Sequence, residues 1–250
     1  MIRGFYTAAS GLVSQQNNLN TVANNMANVS TTGFKSQSTA FSSLLYSSMH
    51  GGAGRGNNIS MGNGVKMQQT GLQLEQGTPI KTDMPFDFAI TGEGFFAIEN
   101  RGDGSITYTR DGSFSIDVDG STCYLVNSAG NYVLDEDGDR IRLRKSTEII
   151  NGKEVEGHQW DMETARPGVM VFDNPYALRL LGGNQFAETE ASGRAESLSE
   201  PKLIAGYLEG SSVDLSREMV RMIEASKGFS LNSRIIQTAD EIEKTINQLR

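Results

Sequence analysis

Few side chains in this sequence stand at spacings that do chemistry. The acidic run Asp135-Glu136-Asp137-Gly138-Asp139 has the look of a calcium loop, in which carboxylates and carbonyls surround the ion and a glycine makes the sharp turn. Setting Gly138 at the sixth position puts Val133 first and Arg144 twelfth, where carboxylates are required. Asp117-Val118-Asp119-Gly120 fails in the same way, with Ser115 first and Val126 twelfth, and both segments read as hairpin turns. The two histidines, His50 and His158, have no Cys or Asp pattern around them at ligand spacing. A single cysteine, Cys123, admits neither an internal disulfide nor a multi-cysteine zinc site. The patterns G-x-S-x-G and G-x-x-x-x-G-K are absent, and GGAGRG at 51–56 does not supply G-x-G-x-x-G. With 30 acidic residues, pairs of carboxylates able to cleave a glycan arise by chance. The sequence therefore predicts no catalytic residue, no metal and no cofactor.

The elements that remain have to explain the protein by shape and surface. A chain of 250 residues with 37% hydrophobic and 21% charged side chains can bury a core of its own. The formal charge of −8 argues against nucleic acid or an anionic membrane as a partner. No stretch is long and apolar enough to span a bilayer, and the first residues lack the apolar core of a cleaved secretory signal. Charge is also uneven. Residues 1–34 carry one charged side chain, Arg3, among many amides, while 214–250 balance six basic against six acidic residues. The whole acidic excess lies in the middle of the chain.

Both ends read as helices. Ile2, Phe5, Ala9, Leu12, Gln16, Leu19, Ala23 and Met26 follow alternating steps of three and four, a heptad-like seam that stops at Ser30-Thr31-Thr32-Gly33. Leu215, Met219, Met222, Ser226 and Phe229 repeat the pattern, as do Ile235, Ala239, Ile242, Ile246 and Leu249, with Asp214 placed to cap the helix. The outer face of the first helix is polar but uncharged, and Asn and Ser form helix poorly. Such a segment suits close packing against protein with its amides hydrogen-bonded. Gly33 is expected to take a positive φ that ends the helix and turns the chain outward, with Phe34 anchoring it against the base of the β-structure.

From Phe86 onward, short β-forming runs alternate with turn signals every 8–12 residues or so, which implies an antiparallel meander, sandwich or barrel. Strands are expected at 86–91, 95–98, 106–109, 114–118, 123–126, 132–134, 141–143, 168–172, 177–181 and 203–208. The Gly/Asn/Ser-rich stretch 47–64 reads as a flexible connector or an extended arm. The fold class is thus α+β: N- and C-terminal helices paired as a coiled coil, with a central antiparallel all-β domain. The expected division is 1–30 with 213–250 as the helical domain, 31–66 as a connector and 67–212 as the β domain.

Three segments carry a resemblance. Ala23-Asn24-Asn25-Met26-Ala27-Asn28-Val29-Ser30-Thr31-Thr32-Gly33-Phe34-Lys35 resembles the N-terminal signature of bacterial flagellar axial proteins. Gly92-Glu93-Gly94-Phe95-Phe96 with Tyr108-Thr109-Arg110-Asp111-Gly112-Ser113-Phe114 resembles the central motif of flagellar basal-body rod proteins, and 208–214, continuing through Glu218-Met219-Val220 to 236–241, resembles their C-terminal signature. The resemblance implies a rod subunit without catalytic activity, of the distal or the proximal type. It implies export unfolded through the flagellar type III apparatus and helical polymerisation into a hollow drive shaft, with the helices as its inner layer and the β domain outward. The implied partners are other copies of the chain, other rod and hook subunits, the export apparatus and ring proteins surrounding the rod. The assembly residues expected on this basis are Phe5, Leu12, Leu19, Asn24, Asn25, Met26, Asn28, Gly33, Phe34, Leu215, Met219, Met222, Phe229, Ile235, Ile242, Ile246 and Leu249. Other readings are a hook-family axial protein, a secreted hydrolase of cell-wall glycan, and an adhesin or phage-tail module tipped by a coiled coil.

Overall fold

The computed structural model describes residues 2–49, 59–119, 122–143, 145–150, 153–160, 166–198 and 201–249. His50, the glycine-rich run 51–56, Asn58, Gly120 and Arg144 lie outside the described residues. The chain divides into two units: residues 1–29, 36–73 and 213–250 form one, and residues 30–35 and 74–212 form the other.

In the first unit, α1 (Ile2–Ala27) and α2 (Leu215–Gln248) pack side by side and antiparallel. Gly11 stands opposite Asn232 and Gly228 opposite Gln15, so close that a Cβ on either glycine would press on the facing amide. The N-cap is the expected one: Asp214 accepts from the amides of Ser216 and Arg217 at 2.9 and 3.3 Å, satisfying donors that the helix start leaves open. Residues expected as part of a connector instead build strands. Gln37–Ser43 pairs antiparallel with Val65–Leu72, and Ser47–Met49 pairs with Ile59–Met61, so both flanks of the glycine-rich stretch are strands. Propensity alone hides them, because Gln, Ser and Thr dominate the first of these strands.

The amide face of α1 reads the backbone of this ribbon. Asn25 donates to the Gln37 carbonyl at 2.8 Å and accepts from the Gln37 amide at 3.0 Å, as a neighbouring strand would. Thr39 donates to the Asn18 side chain at 2.7 Å, and Ser14 donates to the Val65 carbonyl at 3.3 Å. Ser14, Asn18 and Asn25 of this uncharged polar face thus have their partners within the chain.

The second unit is antiparallel β-structure. Among the described residues, ten strands form its main sheet, and the other pairings are two-stranded. The strands Phe95–Glu99, Ile106–Thr109, Phe114–Asp119, Thr122–Asn127, Tyr132–Val133, Arg142–Leu143 and Val169–Val171 fall where the sequence places them, within a residue or two. The expected strand 177–181 begins only at Arg179, since Pro175–Ala177 is a 3₁₀ turn. The expected strand 203–208 is two, Leu203–Ala205 and Tyr207–Glu209, divided at Gly206 with φ +75°. The hairpin Lys145–Ile150 with Lys153–Trp160, which holds His158, was not expected. Phe88, Ile90, Phe96, Phe114, Leu125, Val133, Ile141, Leu143 and Val169 form the core, with Phe96 and Phe114 edge to face at 5.2 Å. The acidic run at 135–139 is a turn closed on itself: the Asp135 carboxylate accepts from the amides of Asp137 and Asp139.

Candidate functional site

Two places concentrate residues that the sequence singled out. The first lies wholly within the β unit, around the carboxylate of Glu209. This residue ends the strand Tyr207–Glu209, which pairs with Pro79–Lys81. One carboxylate oxygen accepts from Lys35 Nζ at 2.5 Å and from the Gly77 amide at 2.9 Å, and the other accepts from Arg110 Nη1 at 3.2 Å. The Lys35 and Glu209 side chains are 0% and 2% exposed, and Arg110 is 4% exposed. Lys35 also donates to the Glu75 carbonyl, and Arg110 Nη2 donates to the Gly92 carbonyl, both at 2.9 Å.

Two cations around one buried carboxylate are held by these hydrogen bonds, since a charge so withdrawn from water survives only with its partners built in. Burial pulls the Lys35 ammonium below the usual lysine range, and Glu209 pulls it partly back. Arg110 is lowered by burial and supported by Glu209 in the same way.

Backbone geometry brings the three together. Gly33 has φ +66°, the conformation expected of it, and donates to the Glu209 carbonyl at 2.7 Å. A Cβ at this position would come within 2.5 Å of the Arg110 carbonyl carbon and the Asp111 nitrogen. Only glycine lets the backbones approach so closely at this φ. Thr32 donates to the Asp111 carboxylate at 2.8 Å, Asn184 donates to the Thr32 carbonyl at 2.7 Å, and the Ser212 amide donates to the carbonyl of the buried Phe34 at 3.0 Å.

The second place is the helical unit. Its most buried helical residues are Ala8, Gly11, Ser14, Val22 and Asn25 on α1, with Glu218 and Ala225 on α2. Ser14 and Asn25 face the strand ribbon, and the helices themselves come closest at Gly11 against Asn232 and Gly228 against Gln15. The apolar seam read from the sequence lies beside these positions: Leu12, Leu19 and Met26 are half-buried, and Phe5 is exposed. On α2 the displacement is larger. Leu215, Met219, Met222, Ile235, Ile242 and Ile246 are exposed, as is Leu249 at the helix end, while Phe229 is half-buried. Phe5, Tyr6, Ala239 and Ile246 line a cleft of about 340 Å³ near the free ends of the two helices. Asn28 donates to the carbonyl and side chain of Asn24 across one helical turn.

Comparison with known proteins decides what these places belong to. Residues 5–35 match the model of the flagella basal body rod protein, 89–155 match the D1 domain of the flagellar hook protein FlgE/F/G, and 204–249 match the flagellar basal body rod FlgEFG protein C-terminal. The flagellar basal-body rod protein FlgG of Borreliella burgdorferi is 36% identical, covering 100% of this chain and 99% of its own length. FlgG of Caulobacter vibrioides is 33% identical over 98% of each chain, and FlgG of Bacillus subtilis is 33% identical over the full length of both. The chain belongs to the FlgG family of flagellar basal-body rod proteins.

As a member of that family it is a structural subunit of the flagellar rod, in the basal body. Each of the three matched segments contributes one member of the buried charge cluster: Lys35 from the first, Arg110 from the second and Glu209 from the third. The sequence placed Gly33 and Phe34 there but missed Lys35, Arg110 and Glu209, all of which stand inside quoted motifs. The available signal was a lone Lys after thirty-one residues with no charge.

Proposed function

We propose that this rod subunit polymerises through the apolar faces that its helix pair leaves open, forming a hollow helical shaft with the helices paired as coiled coils in the inner layer. The observation that carries this reading is the exposure of Ile235, Ile242 and Ile246, at 49%, 48% and 44%, on a helix that meets its partner helix with Gly228 against Gln15 and Asn232 against Gly11. Burying the exposed half of each such side chain stabilises by about 1 kcal/mol, and a polymer repeats that gain at every subunit. Other copies of the chain and the adjoining rod and hook subunits are the partners that would cover these faces. A single cysteine leaves the chain without internal crosslinks, which fits export in an unfolded state by the flagellar type III apparatus. Torque then passes through many interlocked axial helices. The expected assembly residues, from Phe5 to Leu249, act in this reading as the contact set between copies, and ring proteins meet the outside of the shaft.

Ile242→Asp and Ile246→Asp test the proposal. Each should leave the soluble chain folded, with an unchanged melting curve, and block rod formation and swimming in cells that carry no other copy. Normal motility with either change would reject it.

A further inference from the structure

A buried carboxylate in the helical unit has no role in the contacts described so far. Glu218, on the first turn of α2, is 3% exposed. One of its oxygens accepts from Arg221 Nη1 at 2.7 Å, and the other, Oε2, has no hydrogen-bond partner among the described residues. The side chain lines a cleft of about 220 Å³ together with Asn18, Thr21, Gln37, Thr39 and Glu224. The rest of the lining is mostly neutral polar groups, and Glu224 adds a second negative charge to the rim while Arg221 is already engaged. A carboxylate oxygen withdrawn from water and left open is a costly acceptor, and a donor that carries charge satisfies it best. α2 also displays the matching donors: Arg217, Lys227 and Arg234 are exposed and make no ion pair among the described residues.

We propose that this cleft is a socket for a second copy of the chain, in which Oε2 of Glu218 accepts a hydrogen bond from one of the basic side chains of that copy's α2. The inference rests on polymerisation through the helices and adds a polar lock to the apolar contact. The apolar faces supply affinity without direction, since hydrophobic contact is indifferent to small slides along a helix. A charged donor seated on a buried acceptor fixes the stagger of one copy on the next.

The experiment measures the critical concentration for polymerisation of the purified full-length chain, by sedimentation. Glu218→Gln keeps the shape and an acceptor for Arg221 but removes the charge. It should raise the critical concentration by about tenfold or more. Arg217→Gln, Lys227→Gln and Arg234→Gln, exposed and harmless to the fold, are measured alone and with Glu218→Gln. One of the three should reproduce the loss and add nothing to it in the double variant, because both changes remove the same contact. If Glu218→Gln polymerises like the unaltered chain, or if none of the three couples to it, the socket is wrong while polymerisation through the helices stands. If the unaltered chain polymerises and Ile246→Asp does so equally well, the underlying reading fails instead.

Discussion

The cluster around Glu209 and the long face of α2 treat their demanding side chains in opposite ways. At the cluster, Lys35, Arg110 and Glu209 are withdrawn from water, and the groups that stabilise their charges come from separate stretches of one chain. On α2, aliphatic side chains stay about half in water, with nothing among the described residues to cover them. The difference follows from the cost of leaving each kind of group unfinished. A buried charge without its partner costs several kcal/mol, so a single chain has to complete it before the fold can exist. An exposed aliphatic group costs far less in solution and can wait for a neighbour. The β unit therefore pairs its buried charges within itself, whereas the helical unit leaves aliphatic side chains exposed, as the proposed polymerisation requires.

The strongest way to break this contrast is Glu209→Ala. It leaves two buried cations facing each other, and the β unit should lose about 3–5 kcal/mol of stability, seen as a large fall in its melting temperature. A shift of less than a degree would mean that the cluster does not hold the β unit together. Next comes Gly33→Val. The sequence alone expects this change to spare the β core and to act only on assembly. The structure places Gly33 inside the β unit against Arg110 and Asp111, so the substitution should destabilise that unit in the monomer, by about 3 kcal/mol from strain at positive φ and from contact. An unchanged melt would restore the first expectation.

A smaller effect probes the same unit by pH. Burial, with Glu188 nearby, pushes the Tyr108 hydroxyl from 10.0 up to about 12. Its folded value is raised, so the stability it contributes is intact below pH 10 and is lost as pH rises from 10 to 12, where the unfolded chain releases the proton first. The loss approaches about 2 kcal/mol. In chemical denaturation across that window, Tyr108→Phe should lose less stability than the unaltered chain. Parallel curves would show that Tyr108 ionises as it would in water. The smallest expected effect sharpens the comparison from the other side. Ile242→Asp should change the monomer's stability by under about 0.5 kcal/mol, because the side chain it replaces is already half in water.

How much of this was legible beforehand differs between the regions for a physical reason. The period of the apolar residues gave both helices, and Asp214 gave the start of α2, because caps and heptads are local patterns. Strand positions between Phe95 and Leu143 were equally readable, since Gly and Asp turns punctuate them. The ribbon of Gln37–Ser43 with Val65–Leu72 was not, because its strands are polar and owe their order to α1 lying across them. The residues of α1 buried within the chain lie about one position before the apolar seam read from the sequence. The seam follows the largest apolar side chains, whereas the helices come closest where a glycine faces an amide, Gly11 against Asn232 and Gly228 against Gln15.

By itself, then, the sequence determined the α+β composition, the bounds of both helices and of the strands between Phe95 and Leu143 to within a few residues, the positive φ at Gly33 and, through three motifs, the rod family. Tertiary structure alone decided why those motifs matter. Lys35, Arg110 and Glu209 are separated by more than seventy residues at every step, and no local pattern marks a lysine as one that will be buried. Their meeting depends on backbone pairings that exist only once the sheet has formed, and on two glycines, Gly33 and Gly77, whose missing side chains leave room for other strands. Period and propensity act over a few residues, where the chain's own stereochemistry rules. Burial of charge acts across the whole unit, where only the completed fold can supply the partner.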